Sequence, residues 1–259
     1  MIDEVNKIFK WFGINFTLMK DNLKGLIFYF SDLKKIKKQN QKNGFGPIKH
    51  YPILNERFDK AGSMSGHYFH QDLLIAQKIY KNNPEKHVDI ESRTDGLVSH
   101  VATFRKIEII DIRKQEGSVS NVTFKRVDFM EEIPKEFINY ADSISSLHAI
   151  EHFGLGRYGD LIDIDGHIKG LNNIKKMLRP NGTFYFSVPI GTQRIEFNAH
   201  RVFSIKYLLD IFKTDYKLIT FSYVDDKGDL HENTNLNDNN ISNSFGCHFG
   251  CGIFELQKI

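Results

Sequence analysis

The chain has 259 residues, 41% of them hydrophobic, enough to bury one large α/β core or two small ones. Lys and Arg total 35 against 32 Asp and Glu, and the net charge of +3 predicts neither a nucleic-acid footprint nor an acidic tail, so the expected partner is a small molecule. Two cysteines, Cys247 and Cys251, are too few and too close to staple a chain of this size, which argues for a reducing cytoplasm.

The N-terminus reads MIDEVNK, acidic where a secretory signal is basic, and no apolar run reaches the roughly 18 to 20 residues that span a bilayer. Residues 1 to about 45 read as helical and basic, ending at QNQKNGFGP, where glycine and proline break a helix. Within them Leu23, Leu26, Ile27, Phe30, Leu33 and Ile36 recur at helical spacing with lysines between. Such a face packs on its parent domain or rests on an anionic membrane surface as a peripheral contact. A loop with AGSMSG precedes a helix over HYFHQDLLIAQKIYKNNP, halted by Pro84. The extension, including this segment, is expected to span 1–80 and the main domain 81–259.

From 87 onward short apolar runs alternate with helical or polar segments: HVDI, KIEIID, NVTFKRV, DSISSL, GTFYFSVP, YKLITFSYV and CGIFELQKI. Seven strands follow, with helices over 95–105, 133–141, 166–178 and 204–213. Alternation of this kind predicts a Rossmann-like α/β fold, a mostly parallel sheet covered on both faces. The last two strands are joined by the Asn- and Asp-rich stretch 225–244, which suits an antiparallel pair with a long surface loop and reads as a solvated loop or a substrate lid.

In an open parallel sheet a ligand binds beyond the carboxyl ends of the strands. The first strand ends at Asp89, followed by Ile90, Glu91, Ser92, Arg93, Thr94, Asp95 and Gly96. The second ends at Asp111, about 20 residues further on, where a nucleoside-binding fold places a carboxylate for the ribose hydroxyls. The third runs into Asp128 and Phe129, an acid to meet an adenine amino group and an aromatic to cover the ring. Acids after three successive strands suit a nucleoside-type cofactor better than turn-formers scattered by chance.

The order HVDIESRTDG, IEIIDIR, VTFKRVDF, SISSLHAIEHF and IKKMLRPNGTFYFSVPIG resembles a class I S-adenosylmethionine-dependent methyltransferase over 87–259. With HYFHQD upstream and PIGTQRIEFNAHRVFS downstream, the chain is similar to a poorly characterised bacterial family found with surface-polysaccharide genes. The resemblance implies S-adenosylmethionine as cofactor, held by Asp89, Glu91, Ser92, Arg93, Gly96, Asp111, Ile112, Asp128, Phe129 and Leu147, with Tyr68 and Gln71 folding over it. One departure stands out. The superfamily keeps glycines after the first strand so that the cofactor can approach bare backbone, and here Glu91 and Arg93 occupy that turn. A carboxylate at 91 crowds the cofactor unless it pairs with Arg93 or the cofactor's amine.

The segment HAIEH, 148–152, also fits the H-x-x-E-H pattern of some zinc proteases. That chemistry needs a sustained helix and a third ligand, while Gly154, Gly156 and Gly159 interrupt the chain directly afterwards. Cys247, His248 and Cys251 likewise lack further ligands, so no metal is expected. On the methyltransferase reading the segment borders the acceptor, with His152 as first and His148 as second base and Glu151 as orienter. Arg194, Asn198, His200 and Arg201 follow the fifth strand and suit a sugar, phosphate or carboxylate. The expected activity is methyl transfer to an oxygen of a sugar or sugar-linked phosphorus group in surface-polysaccharide assembly. A methyltransferase-like binding or scaffold protein without catalysis, and more remotely a zinc hydrolase, are the other readings.

Overall fold

The computed structural model describes residues 9–43 and 45–259. The chain divides into two compact units, Met1–Ser63 and Met64–Ile259. The division falls before the segment HYFHQD, which therefore belongs to the second unit. Among the described residues no helix is long and apolar enough to cross a membrane.

The first unit is built on α1 (Phe16–Asn43), which contains the apolar stripe read from the sequence. Leu23, Leu26, Ile27, Phe30 and Ile36 of that stripe are exposed. Its glycine at 25 has a steric role: a Cβ there would overlap the backbone of Leu54.

The second unit begins with α2 (His67–Asn82), closed by Asn83 in the left-handed conformation at φ 40°, one residue before Pro84. Then come β1 (His87–Ile90), a π-helical turn Thr94–Val98 that runs into α3 (Ser99–Ala102), β2 (Ile107–Asp111), β3 (Val122–Arg126) and β4 (Ala141–Leu147). After β4 a single 3-10 turn, Ile150–His152, leads through a glycine-rich loop to α4 (Gly166–Met177) and β5 (Leu178–Ile190). The small hairpin β6 (Arg194–Glu196) and β7 (His200–Val202) precedes α5 (Ile205–Phe212). The chain closes with β8 (Tyr216–Val224), β9 (Leu230–His231), α6 (Asp238–Asn243) and β10 (Gly250–Lys258).

Eight strands form one sheet in the order β3-β2-β1-β4-β5-β10-β8-β9. β1 through β5 pair in parallel, whereas β10 runs antiparallel to both β5 and β8. All seven expected strands are present, and β5 starts earlier than the sequence suggests because the turn Arg179 to Gly182 stays in the strand. The expected helix over 133–141 shrinks to a 3-10 turn, Lys135–Phe137, set after Pro134 and ended by extended backbone at Ile138. The polar stretch 225–244 carries β9 and α6 between β8 and β10.

Alternation sends neighbouring residues to opposite faces, so Val88, Ile90, Ile110, Ile144, Phe184 and Phe186 join one core cluster. Ile107, Ile109, Tyr185 and Ile253 join the other, beneath α2 and α3. Every residue of β1 is buried, as expected of a central strand covered on both sides. β1 lies between β2 and β4, so strand order reverses there, and the crevice at their carboxyl ends is where a ligand should bind.

Candidate functional site

Asp89 is the last but one residue of β1 and is buried. Its carboxylate accepts from the Ser92 backbone N–H at 3.0 Å, from Ser92 Oγ at 2.6 Å and from the Ser145 hydroxyl on β4. Ser92 Oγ in turn accepts from the Leu147 N–H at 2.9 Å, which ties the turn after β1 to the end of β4. Asp89 is fully buried, and burial pushes its carboxyl up to about 6. It shapes the turn rather than lining the cleft, as does Leu147, which is buried in the core.

Glu91 occupies the position where the turn favours glycine, at φ 58°. Its backbone N–H continues the ladder to the Ile110 carbonyl at 3.0 Å, and its Oε1 accepts from the Ile112 N–H at 3.4 Å. The side chain thus turns in toward Asp111 and Asp128 and does not pair with Arg93. One side stays open to the cleft while the rest is crowded. That burial, followed by the charge of Asp111, pushes its carboxyl up to about 8, with Arg113 opposing.

Arg93 instead makes a bidentate pair with Asp95, at 3.0 and 2.6 Å, with its guanidinium 4.7 Å from the ring centre of Tyr68. Gly96 serves a close approach: a Cβ there would overlap the carboxylate of Asp72, which α2 brings against the turn. Asp72 is buried, receives Gln71 Nε2 at 3.2 Å and is pushed up to about 7 by its burial. Gln71 itself is buried and accepts from Ser187 Oγ at 2.6 Å, so it braces α2 on β5.

Asp111 stands at the end of β2. Both of its oxygens are engaged by Arg113, through the backbone N–H at 2.7 Å and the guanidinium at 2.9 and 2.6 Å. Asp128 accepts from the Met130 N–H at 2.8 Å. Phe129 departs from expectation. It is fully buried in the core beneath α4, where its carbonyl accepts from Asn173 Nδ2 at 2.8 Å, and Met130 lines the cleft in its place. Beyond a strand end the chain turns, and Asp128 and Phe129 part to the two sides.

The turn after β4 positions the expected catalytic residues. His148 has φ 52° and holds the sheet through its N–H to the Ser187 carbonyl at 2.9 Å. Its Nδ1 lies 2.7 Å from Glu151 Oε1, and because a carboxylate only accepts, Nδ1 carries the hydrogen. His152 Nδ1 donates by the same logic to the Ala199 carbonyl at 2.7 Å, leaving Nε2 as its basic nitrogen. Burial lowers the His152 imidazole below the usual range, with Glu151 opposing, which favours the neutral base. The two histidines are held by different partners on a single 3-10 turn, so the pair ligand geometry of a zinc protease helix is not formed.

The segment after β5 divides. Arg194 pairs with Glu196 at 2.8 Å and donates to the His248 carbonyl at 3.0 Å, while Asn198 sits exposed at φ 65° in the tip of the β6–β7 hairpin. His200 Nε2 lies 3.1 Å from Glu196 Oε2, and its ring is 6.5 Å from that of His152. Arg201 is not available to a substrate. It is buried, and its guanidinium donates to the carbonyls of Phe153 at 2.6 Å, Ile164 at 3.0 Å, and Glu151 and Asp163 at 3.4 Å.

Part of this set surrounds two adjoining cavities. The larger, about 460 Å³, is lined by Tyr68, the turn Glu91 to Asp95, Asp111, Arg113, His148, His152, Arg157 and Tyr158. The smaller is bounded by Glu91, Ile112, Asp128, Met130, His152 and Tyr158, and its 10 Å³ holds about one water. Sequence reading passed over Arg113, Arg157 and Tyr158. The Arg113 guanidinium lies 4.3 Å from the Tyr158 ring centre, Arg157 Nη1 is 3.2 Å from His152 Nδ1, and the two rings of His152 and Tyr158 meet edge to face at 5.6 Å. For Arg157 and Tyr158 the only signal was place, since GLGRYGD returns directly to the cleft through left-handed glycines at 154, 156 and 159, and for Arg113 it was its position just after β2.

Residues 84–245 match the model of the family described as Caenorhabditis protein of unknown function, DUF268. The chain belongs to that family. No curated protein matches it. Among solved structures it is similar to the Burkholderia thailandensis 1,6-didemethyltoxoflavin-N1-methyltransferase with bound 1,6-didemethyltoxoflavin and S-adenosylhomocysteine, at 13% identity over 89% of this chain and 88% of that one, with TM-score 0.51. The N-methyltransferase NodS from Bradyrhizobium japonicum, in complex with S-adenosylhomocysteine, gives 10% identity over 74% of this chain and 88% of that one, with TM-score 0.48. An S-adenosylmethionine-dependent methyltransferase from Clostridium acetobutylicum gives 11%, 73%, 91% and 0.47 in the same order. The likeness to the first establishes a shared methyltransferase-type Rossmann fold.

Proposed function

We propose that this protein transfers a methyl group from S-adenosylmethionine to an oxygen of a small acceptor. The observation that carries the reading is the 460 Å³ cavity at the reversal of strand order, with a strand-end carboxylate, Asp111, on one side and His152 on the other. The methionine and ribose ends of the cofactor suit this cavity: Asp111 for the ribose hydroxyls, the turn Ser92 to Asp95 and Tyr68 for the amino-acid end. Ile112, Asp128 and Met130 are placed for the adenine, and the base enters once the side chains of Glu91 and Tyr158 turn away from the smaller cavity.

The cofactor supplies an electrophilic methyl on a sulfonium, and the protein's task is alignment and proton removal. His152 Nε2 is the nitrogen that takes the hydroxyl proton, with the Ala199 carbonyl fixing its tautomer. Arg157 is the cation placed to hold an acidic or phosphorylated acceptor beside it. A sugar or sugar-linked phosphorus acceptor in surface-polysaccharide assembly, in the cytoplasm, follows from the sequence resemblance and from this Arg and His lining.

A second reading has its own observation. Glu91 enters the cofactor cleft from a glycine-type backbone, and Arg113 already engages both oxygens of Asp111. A methyltransferase-like binding protein without catalysis has this appearance. Titration calorimetry of the full chain with S-adenosylmethionine and with S-adenosylhomocysteine separates the two. Binding in the micromolar range supports methyl transfer, and silence at high micromolar concentrations of both removes it.

A further inference from the structure

The sheet brings together three ligand-type side chains that lie far apart in sequence. His148 stands at the end of β4, Cys251 on β10, and His67 is the first residue of α2. β5 separates the two strands and fixes their spacing, through the His148 N–H to the Ser187 carbonyl and the pairing of Cys251 with Pro189. One ligand atom from each of the three lies within 4.8 Å of those of the other two. Spacing along the chain gives no hint of this, because each residue comes from a different element.

The orientation of His148 is the second observation. The residue is nine-tenths buried, and its Nε2 has no hydrogen-bond partner. Glu151 accepts the hydrogen on Nδ1, which leaves Nε2 as the nitrogen free to bind an ion, the orientation a metal-bound imidazole needs. A carboxylate behind a histidine in this way is the recurrent arrangement that aims an imidazole at an ion and raises its basicity. A buried, unpartnered nitrogen is costly without a ligand, and the fully buried Cys251, whose sulfur reaches only Gln71 Oε1 at 3.5 Å and its own neighbour's carbonyl, is the group that can share an occupant with it.

We propose that His67, His148 and Cys251 form a binding site for one divalent transition-metal ion of the zinc class. Two imidazoles and one thiolate are a borderline-soft donor set that oxygen-seeking ions such as magnesium do not favour. On binding, the Cys251 S–H bond breaks, its proton leaves to solvent, and the sulfur bonds the ion, so the site retains one positive charge. The rings of His67 and His148 lie nearly parallel, 20° apart with centres at 5.1 Å. Closing on one ion therefore requires the half-buried His67 ring, at the start of its helix, to turn. Three protein ligands leave a fourth tetrahedral position, the pattern of zinc sites that bind a water or a substrate oxygen. His148 also lines the larger cavity, which puts that position at the cavity's edge. The site stands independently of the methyl-transfer reading.

Metal analysis of the full chain, stripped with chelator and reloaded with zinc alone, tests it. One zinc per chain after dialysis is expected. Reloading with cobalt should give the thiolate-to-cobalt charge-transfer absorption in the near ultraviolet. Cys251→Ala should abolish that band, Cys247→Ala should leave it, and His67→Ala should weaken zinc affinity by at least about tenfold. Since His67 is half-buried, its variant keeps the fold testable if Cys251→Ala disturbs the sheet. Zinc below stoichiometry in the wild-type chain overturns the proposal. A cobalt band lost with Cys247→Ala, or zinc affinity unchanged in His67→Ala, overturns it as well.

Discussion

Glu91 is where the physical costs of this site concentrate. A non-glycine residue at φ 58° carries backbone strain of roughly 1 kcal/mol or more. Its carboxyl, pushed up to about 8 mainly by burial, holds a proton at neutral pH that the unfolded chain, near 4.5, has released. The folded state therefore binds more protons between those values. Stability is full below about 4.5, declines as pH rises, and levels off above about 8, a loss on the order of 3 kcal/mol by pH 7 and less where water reaches the open side. Glu91→Gln keeps the shape without the titration, so its melting temperature should exceed the wild type's at pH 8 and match it near pH 4.5; equal melting temperatures at both would remove the argument. Asp111, Arg113 and Asp128 face the same group and stay in place in that comparison. Glu91→Gly relieves the strain and empties the smaller cavity, and it should tighten S-adenosylhomocysteine binding by about tenfold or more, read by calorimetry. A wild-type chain that is silent while Glu91→Gly binds would assign the protein to the binding-protein reading. At His152 the expected pattern is the reverse. His152→Ala should leave cofactor affinity within about twofold and reduce turnover by about a hundredfold or more. Normal turnover at saturation would exclude it as the base.

At the scale of elements, the loop from 151 to 164 is shaped by Arg201 from β7. One buried guanidinium holds four carbonyls of that loop, and charge-assisted bonds of this kind are worth about 1.5 to 3 kcal/mol each when broken singly. Arg201→Met leaves two buried and two part-buried acceptors short of a donor, and denaturant unfolding should show a loss of about 3 kcal/mol. A loss under about 0.5 kcal/mol would mean the residue is free for substrate, as its sequence neighbourhood suggested. This residue also shows what was legible beforehand. The seven strands along the chain, the carboxylates at 89, 111 and 128 and the turn at 148–152 could be read because they follow from periodicity and from strand ends. Arg201 could not, since its partners are backbone carbonyls, which every sequence contains. Phe129 was misplaced because period-two alternation lapses where β3 ends. Tyr158 and Arg157 reach the cleft only because Gly154 and Gly156 adopt left-handed backbone, and a Cβ at 154 would overlap the Asp163 carbonyl. The metal-ligand trio was invisible for the same reason in another form: β10 enters the sheet beside β5, antiparallel, and only that topology brings Cys251 toward His148.

On the scale of the whole molecule, every residue lining either cavity lies in Met64–Ile259, as do both core clusters and the complete sheet. The sheet's parallel strands are covered on one face by α2 and α3 and on the other by α4 and α5, all from the same unit. A chain beginning at Met64 therefore keeps the apolar burial that drives folding and the strand ends that build the site. It should unfold in one cooperative transition and bind S-adenosylhomocysteine within about threefold of the full chain's affinity, measured by calorimetry. The helix α1 exposes Leu23, Ile27 and Phe30 among lysines, which fits a role outside the chemistry. If the shortened chain folds yet binds cofactor far more weakly, the claim that the second unit suffices for the site is overturned.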